Sequence, residues 1–466
     1  MNFWSPENLR ELTGGRWLQS PDDLACNLSG VGIDSRTIGR GQAFIAVEGP
    51  NFDGHDFVAA AAAGGAAIAI VSREMESWPA GFGVLKVDQT VVALQQLAIA
   101  YRQVLRDSGV KVIAVTGSNG KTTTRHLIHA VLGARYRGTQ SPGNFNNHFG
   151  VPLTLLGAAE TDDFVVAEVG SNHRGEIEKL AAILRPDVGV ITNIGAAHIG
   201  HFGTLEAIAA EKGSLLGFID PGGVALMPDG LEVDLPEYVD RLVPRQAPGL
   251  TASLKLPGEH NVRNALLAIE IARWLGMDDQ DIRPALASVE PLEGRLQPLH
   301  FGHEVTVIHD AYNANPDSVR TAIDQVGRMA ARRHVAVLGD MFELGENAPQ
   351  EHRKLADLLE SCWRDDSAAC GDHMAVFIGP LASHAVDPLR KRWSTDSVHS
   401  FLEFTKRLPQ QIVDLLQPGD VVLLKGSRAM ALERLIPAVL ARFGPIPSSP
   451  DSSNATDYPQ PAIRST

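Results

Sequence analysis

The stretch from Val112 to Thr123, Val-Ile-Ala-Val-Thr-Gly-Ser-Asn-Gly-Lys-Thr-Thr, constrains the fold more than any other part of the chain. Its β-branched run (Val112, Ile113, Val115) reads as a buried strand. It breaks into two glycines flanking two small polar residues, and a helical pattern resumes at Lys121. A phosphate-binding loop needs this strand–loop–helix context. Gly117 and Gly120 let backbone N–H groups turn inward, and the new helix aims its positive end at the same place. The segment Thr116, Gly117, Ser118, Asn119, Gly120, Lys121, Thr122 and Thr123 is thus read as a nucleotide cradle. In it Lys121 reaches the terminal phosphates and the Thr122 hydroxyl is placed for Mg²⁺. The loop is a shortened variant, with Val115 where the common pattern has glycine. A bare Gly-Lys-Thr carries little information, and an ordinary turn with a surface lysine is the alternative. With strand, glycine pair and helix all present, binding of a nucleoside triphosphate is the stronger reading.

At 466 residues the chain has room for about three domains of ~150 residues. The net charge of -14 argues against a nucleic-acid-binding surface. Cys26, Cys362 and Cys370 show neither metal spacing nor a disulfide framework, which fits a reducing compartment. Cys362 and Cys370 are expected in or beside a helix as inert thiols. Residues 1–7 lack a basic, then apolar, signal pattern, and the Ala-rich run Val58–Ile70 is interrupted by Gly64 and Gly65. A cytoplasmic protein without membrane insertion is expected.

Residues 1–108 alternate short strands (42–47, 67–71, 84–87) with helices (55–64, 90–106), and carry two polar clusters. These are Gly32-Ile33-Asp34-Ser35-Arg36 and Asn51-Phe52-Asp53-Gly54-His55. Each alone is a turn; together they suit a small anion site with Ser35 and Arg36 as donors. Residues 109–297 repeat strand and helix, with strands at 111–116, 164–169, 187–192 and 223–227, the pattern of a doubly wound parallel sheet. Ligands of such sheets gather at the carboxyl ends of strands. Glu168 follows the second of these strands, and Ala197-His198 comes after the third. A strand-end surface charge and a locally bonded loop histidine are the plain alternatives; their shared sheet edge favours metal coordination and water positioning. The loop Ser141–Gly150, with Asn144, Asn146 and Asn147, is rich in hydrogen-bond donors. Lys212, on a helix over 205–216, reads from periodicity as a solvated lysine. Asn261 reads as the N-cap of a helix over 265–274. A third α/β part, 298–446, has strands at 304–309, 334–338, 375–378 and 420–424, and residues 447–466 read as a disordered tail.

Assembled, these residues resemble the Mur ligases of peptidoglycan synthesis. The likeness runs from about residue 30 to residue 435. It is carried by Asp34-Ser35-Arg36 through His55, the phosphate loop, Gly143-Asn144-Phe145-Asn146-Asn147, Glu168-Val169-Gly170, His198 and Glu211-Lys212-Gly213. His260-Asn261 with Asn264, Gly294-Arg295, Tyr312-Asn313-Ala314-Asn315-Pro316, Gly339-Asp340-Met341 with Glu343-Leu344-Gly345, and Lys425-Gly426-Ser427-Arg428 complete it. The Gly-Asn-Phe-Asn-Asn, Tyr-Asn-Ala-Asn-Pro and Lys-Gly-Ser-Arg stretches point to the branch that adds D-alanyl-D-alanine.

The resemblance implies three α/β domains: a UDP-substrate domain (1–108), a central phosphate-loop parallel-sheet ATPase (109–297) and a Rossmann-like C-terminal ligase domain (298–446). It implies ATP and Mg²⁺ as cofactors and a two-step reaction. A UDP-N-acetylmuramoyl-tripeptide carboxylate takes the γ-phosphoryl group of ATP, and the amine of D-alanyl-D-alanine attacks the acyl phosphate. Thr122 and Glu168 would hold one Mg²⁺. His198 and Lys212, a lysine carbamylated in related ligases, would hold a second. Asn264, Arg295 and Asn313 would contact adenosine. Ser35 and Arg36 would contact UDP, with Asn144 and Asn147 also on the substrate side. A monomer is expected. His309 before Asp310, and Ser214 after Gly213, depart from many relatives without touching these groups. The sister ligase that adds a diamino acid carries an Asp-Asn-Pro-Arg tetrapeptide absent here. Folylpolyglutamate synthases lack a first domain of this kind. A scaffold that had lost catalysis would not need Lys121, Thr122, Glu168, His198 and Lys212 together.

Overall fold

The computed structural model describes residues 2–22, 24, 27–49, 51–74, 77–79, 81–228, 231, 233–363 and 373–446. The expected tail at 447–466, Cys26 and Cys370 lie outside the described residues. The first sheet holds β1 (Arg16–Gln19), β2 (Val31–Gly32), β3 (Ala43–Ile45), β4 (Ile68–Val71) and β5 (Gly83–Lys86) in the order β1-β5-β4-β3-β2. All its pairings are parallel except β1 with β5.

The second sheet is wholly parallel. It comprises β6 (Lys111–Thr116), β7 (Gly138–Gln140), β8 (Phe164–Glu168), β9 (Val188–Ile191), β10 (Val224–Leu226) and β11 (Asp240–Leu242), ordered β11-β10-β9-β6-β8-β7. β6, the strand read from Val112, Ile113 and Val115, is central, between β8 and β9. Its β-branched residues are fully buried, as a strand covered on both faces demands. Because β6 has neighbours on either side, the loops leaving β6, β8 and β9 converge at one sheet edge, which is where the phosphate loop sits.

These two sheets share one core. The helix Thr90–Asp107 buries Leu94, Leu97, Tyr101 and Leu105 in a cluster that also takes in Ile68 and Leu85 of the first sheet and Val112, Val165 and Ile177 of the second. Tyr101 donates its hydroxyl to Ala158 O (2.9 Å). The buried Arg102 donates to Leu184 O (2.8 Å), Arg185 O (2.9 Å) and Asp187 Oδ2 (2.9 Å). Residues up to Glu290, together with Glu343–Glu346, form one compact unit.

The second unit runs over Pro291–Phe342 and from Asn347 onward. Its sheet contains β12 (Gln297–His300), β13 (Thr306–His309), β14 (Arg333–Gly339), β15 (Met374–Ile378), β16 (Val398–Phe401) and β17 (Asp420–Lys425), ordered β12-β13-β17-β14-β15-β16. Only β12 runs antiparallel. It is an edge strand, which is why Pro298 is tolerated in it.

Several expectations need correction. The short edge strands β1, β2, β7, β11, β12 and β16 were not read from the sequence, because a few mixed residues on an edge carry no clear period. The helix expected to begin at Ala265 begins at Glu259, so Asn261 is not its N-cap. Asn261 lies in the first turn, and its side chain donates to Pro257 O (2.7 Å). The helix over 205–216 ends at Gly213 and continues as a tighter turn over Ser214–Phe218. Cys362 is a free thiol in the helix Ala348–Trp363. No helix among the described residues is long and apolar enough to cross a membrane.

Candidate active site

The phosphate loop leaves β6 at Thr116 and enters the helix Lys121–Leu132 at Lys121. Gly117 (φ 142°) and Gly120 (φ 79°) both occupy backbone that favours glycine. At Gly117 space decides as well: a Cβ there would lie 2.0 Å from Thr192 Oγ1. That contact exists because the segment after β9 clamps the loop. Ser118 N donates to Asn193 O (3.0 Å) and Asn119 N to Asn193 Oδ1 (3.0 Å). Asn193 Nδ2 (2.9 Å) and Thr192 Oγ1 (2.5 Å) both donate to Asn119 O. Ser118 Oγ donates to Gly195 O and accepts from Gly195 N, both at 2.9 Å. Lys121 folds over the loop, its Nζ donating to Gly117 O (2.7 Å) and Ser118 O (3.3 Å). Asn264, buried in the helix Glu259–Trp274, stands against the loop, its Oδ1 2.8 Å from where a Gly120 Cβ would be. The sequence flagged Asn264 but gave Thr192 and Asn193 no role; their partners are more than seventy residues away in the chain.

Glu168 ends β8, directly beside Val115 of β6. It is 2 % exposed, so the surface-charge alternative does not hold. Its backbone N donates to Ser141 Oγ (3.0 Å), and its Oε1 accepts from Asn146 Nδ2 (3.0 Å). Arg125 Nη1 stands 3.7 Å from Oε2 and is itself held by Ser141 O (2.5 Å) and Gly143 O (2.9 Å). Glu168 Oε2 is buried with no hydrogen-bond partner among the described residues. Arg125 gives that oxygen charge but no hydrogen bond, so it keeps room for a closer ligand, which fits a site completed by Mg²⁺. Thr122 lies half-buried in the first turn of the helix that the loop opens. Among the described residues no cluster of three His, Cys, Asp or Glu side chains could cage a metal. A Mg²⁺ site sharing its ligands with substrate phosphates needs no such cluster.

In the Asn-rich loop the residue that reaches Glu168 is Asn146. Asn147 Oδ1 accepts from Phe149 N (3.1 Å) and Gly150 N (3.0 Å), bracing the start of the helix Gly150–Leu156. Asn144 is exposed.

Lys212 is not a solvated lysine: it is 1 % exposed. Its Nζ donates to Ser171 Oγ (2.7 Å) and lies 5.8 Å from the centre of the Phe202 ring. No carboxylate among the described residues is within ion-pair distance of it. The neighbouring Glu211 is occupied with Gly175 N (2.7 Å) and Ile177 N (2.9 Å). Burial, and then the positive charge of Lys121, bring the Lys212 amine down from 10.5 to about 7. His198 sits in left-handed backbone (φ 57°) at the start of the turn Ile199–Phe202, with Nδ1 2.6 Å from Glu343 Oε2.

In the first sheet's polar clusters Arg36 is exposed and grips Asp34, Nε to Oδ1 at 2.9 Å and Nη2 to Oδ2 at 2.7 Å. Ser35 beside it is half-buried. Asp53 and His55 are structural. His55 Nε2 accepts from Ser72 N (2.9 Å), which leaves Nδ1 to donate to Asp53 Oδ1 (2.6 Å). Phe52 stands 74 % exposed.

In the second unit Arg295 lies over the Tyr312 ring at 4.1 Å. Buried Lys425 donates to Asp310 Oδ2 (2.6 Å) and to Asn313 O (3.0 Å), and Leu296 N donates to Asp310 Oδ1 (3.1 Å). One ion pair thereby ties the Arg295 turn to the Asn313 loop. Asn315 caps the helix Pro316–Gly327 in a box with Ser318, so it is spent on the fold. His309 is buried in β13, and desolvation lowers its pKa.

Family models match three successive stretches: "Mur ligase family, catalytic domain" over 27–102, "Mur ligase middle domain" over 115–235 and "Mur ligase, glutamate ligase domain" over 294–428. A relative in Bacillus subtilis (strain 168) is 33% identical, covering 92% of this chain and 97% of its own length. This chain belongs to the Mur ligase family. That relative, and one in Escherichia coli (strain K12) at 29% identity over 88% of this chain and 94% of its own, are both named UDP-N-acetylmuramoyl-tripeptide–D-alanyl-D-alanine ligase. Among solved structures, MurF from Acinetobacter baumannii superposes with a TM-score of 0.79 at 31% identity, covering 94% of this chain and 99% of that one. MurF from Thermotoga maritima, in complex with ADP, gives 0.71 at 25% identity, covering 88% and 96%. The middle-domain match holds the phosphate loop, Glu168, His198 and Lys212 of this Mur ligase. The third match takes in Arg295 and Asn313.

Proposed function

We propose that this Mur ligase joins D-alanyl-D-alanine to UDP-N-acetylmuramoyl-tripeptide at the expense of ATP, giving the pentapeptide precursor of peptidoglycan, ADP and phosphate. The observation that carries the reading is Glu168: a buried carboxylate beside a phosphate loop, with one oxygen bonded by Asn146 and the other without a hydrogen bond among the described residues, Arg125 standing 3.7 Å away. Such a pair of features suits a nucleotide–Mg²⁺ complex.

In the first step a carboxylate oxygen of the tripeptide attacks the γ-phosphorus of ATP, and the bond to ADP breaks. Two anions meet, so the site must supply positive charge. Lys121 and the N-terminus of its helix do so. The clamp from Thr192 and Asn193 keeps the loop's shape before nucleotide arrives. Mg²⁺, held by Thr122 and Glu168, would neutralise charge on the β- and γ-phosphates, and a second ion would be held by His198 and Lys212. In the second step the free amine of D-alanyl-D-alanine attacks the acyl carbonyl. Phosphate leaves, and the nitrogen loses its proton to solvent. In this reading residues 1–108 hold the UDP end through Ser35 and Arg36, with Asn144 and Asn147 on the substrate side. Residues 109–297 hold ATP, with Asn264 beside the loop. Arg295, at the end of the same stretch, would contact adenosine, and residues 298–446 contribute Asn313 nearby and receive the dipeptide. In this reading the protein works as a monomer in the cytoplasm.

Lys212 serves as a metal ligand only once its cation is removed. With its amine at about 7, about half is neutral at neutral pH, against fewer than about one in a thousand for an exposed lysine. A neutral amine adds to CO₂: the N–C bond forms, one C=O pair moves to oxygen, and a proton leaves. The carbamate so formed is the anion the site lacks.

The test is ADP release with UDP-tripeptide, with and without D-alanyl-D-alanine. Sustained turnover only with the dipeptide is expected. Turnover indifferent to it, or none with either tripeptide (diaminopimelate or lysine at the third position), would overturn the reading.

A further inference from the structure

Two non-glycine residues in left-handed backbone meet in the first unit: His198 (φ 57°) and Glu343 (φ 64°). Strain of this kind persists where the surroundings over-determine it, and it gathers at functional positions. Here the surroundings are tight. A Cβ on Gly200 would stand 2.6 Å from Gly345 N and 2.9 Å from Glu343 O, so the segment Glu343–Glu346 lies directly on the turn that His198 opens. That segment groups with the first unit, although the residues before and after it in sequence group with the second. The sequence marked Glu343-Leu344-Gly345 as part of the family resemblance without giving it a task.

The contact is specific. Glu343 Oε2 is 2.6 Å from His198 Nδ1, and the His198 side chain is 19% exposed. His198 Nδ1 is buried and finds no well-aligned hydrogen-bond partner among the described residues, so its contact with Glu343 is one of proximity and charge. An imidazole has two nitrogens, and a carboxylate on one settles what the other can do. A neutral imidazole is a poor ligand for hard Mg²⁺, and a carboxylate on the far nitrogen makes it a better one.

We propose that Glu343 is a positioning residue for His198: its carboxylate accepts the Nδ1 proton, fixes the ring's orientation, and leaves Nε2 unprotonated as the ligand atom. The claim rests on the ligase reading, in which His198 serves the second Mg²⁺, but the contact itself can be tested without any reaction.

The experiment uses full-length protein with isotope-labelled histidine, ligand-free and at mildly alkaline pH, with nitrogen NMR reporting the tautomer of each ring. His198→Gln identifies the His198 signals. Wild type is expected to carry the proton on Nδ1; Glu343→Gly is expected to shift His198 toward the Nε2–H form. Glycine also relieves the left-handed strain, so the variant should melt no lower than wild type. In turnover its apparent Mg²⁺ requirement should rise about tenfold or more at unchanged KM for ATP, and Glu343→Asp should recover part of the loss. A wild-type His198 protonated on Nε2, or a Glu343→Gly enzyme with unchanged tautomer and Mg²⁺ requirement, overturns the proposal. If wild type fails to turn over but shows Nδ1–H lost in Glu343→Gly, the ligase reading falls while the positioning contact stands.

Discussion

The phosphate loop and the turn-and-helix stretch His198–Gly213 both belong to the candidate active site, yet they are built in opposite ways. The loop presents fixed polarity: backbone N–H groups, a helix end and Lys121, cross-braced by Thr192 and Asn193. The second stretch presents groups whose state is adjustable, a buried lysine near 7 and a histidine in contact with the Glu343 carboxylate. In the proposed reaction, ion binding at the loop needs geometry, whereas at Lys212 it would need a chemical change first. The difference teaches that one site can mix a preformed part with a part that must be switched on.

The sharpest way to break that contrast is Lys121→Ala. It should lower kcat about 10³-fold or more, since it removes charge from the transferring phosphoryl group, while circular dichroism stays as in wild type. Near-normal kcat would show that the loop is not where ATP reacts. Lys212→Ala comes next, with a loss of about 10²-fold, the scale of a removed metal-site partner. In wild type, carbon NMR with labelled CO₂ should show an adduct that grows as pH rises through about 7 and fades below it, because only the neutral amine adds CO₂. An adduct unchanged across that range would place the chemistry on another group.

A smaller effect, about tenfold in KM for ATP with little change in kcat, is expected for Asn193→Ala, which removes the Asn193 side-chain bonds to Asn119 N and Asn119 O and leaves Thr192 Oγ1 on Asn119 O. A kcat loss as large as that of Lys121→Ala would mean the loop is not preformed. The smallest, a few-fold, belongs to Ser171→Ala. It removes the hydroxyl that accepts from Lys212 Nζ, so the pH profile of CO₂ addition should move while ATP binding does not.

What could be read from the sequence follows the same division. β6 and the loop lie within a dozen consecutive residues, so strand period, glycine pair and helix onset were all legible together. The long buried strands β8, β14 and β17 were legible for the same reason, whereas β2 and β12 lay too short or too near an edge to show a period. Lys212 read as solvated because a helix period says which residues share a face, not which face is covered; Ser171 and Phe202, which enclose it, come from other elements. The clamp at Asn193, the brace at Asn146 and the partner at Glu343 are contacts between distant parts of the chain. No local pattern could announce them.

The helix Thr90–Asp107 has a consequence for how the protein comes apart. Its apolar side is common property of the first two sheets, and the Arg102 guanidinium is anchored on carbonyls of Leu184 and Arg185 and on Asp187. A polypeptide cut at residue 108 would bare that apolar side and part Arg102 from Leu184, Arg185 and Asp187, so neither piece should hold its shape alone. On heating, the first and second sheets should therefore melt in a single cooperative event.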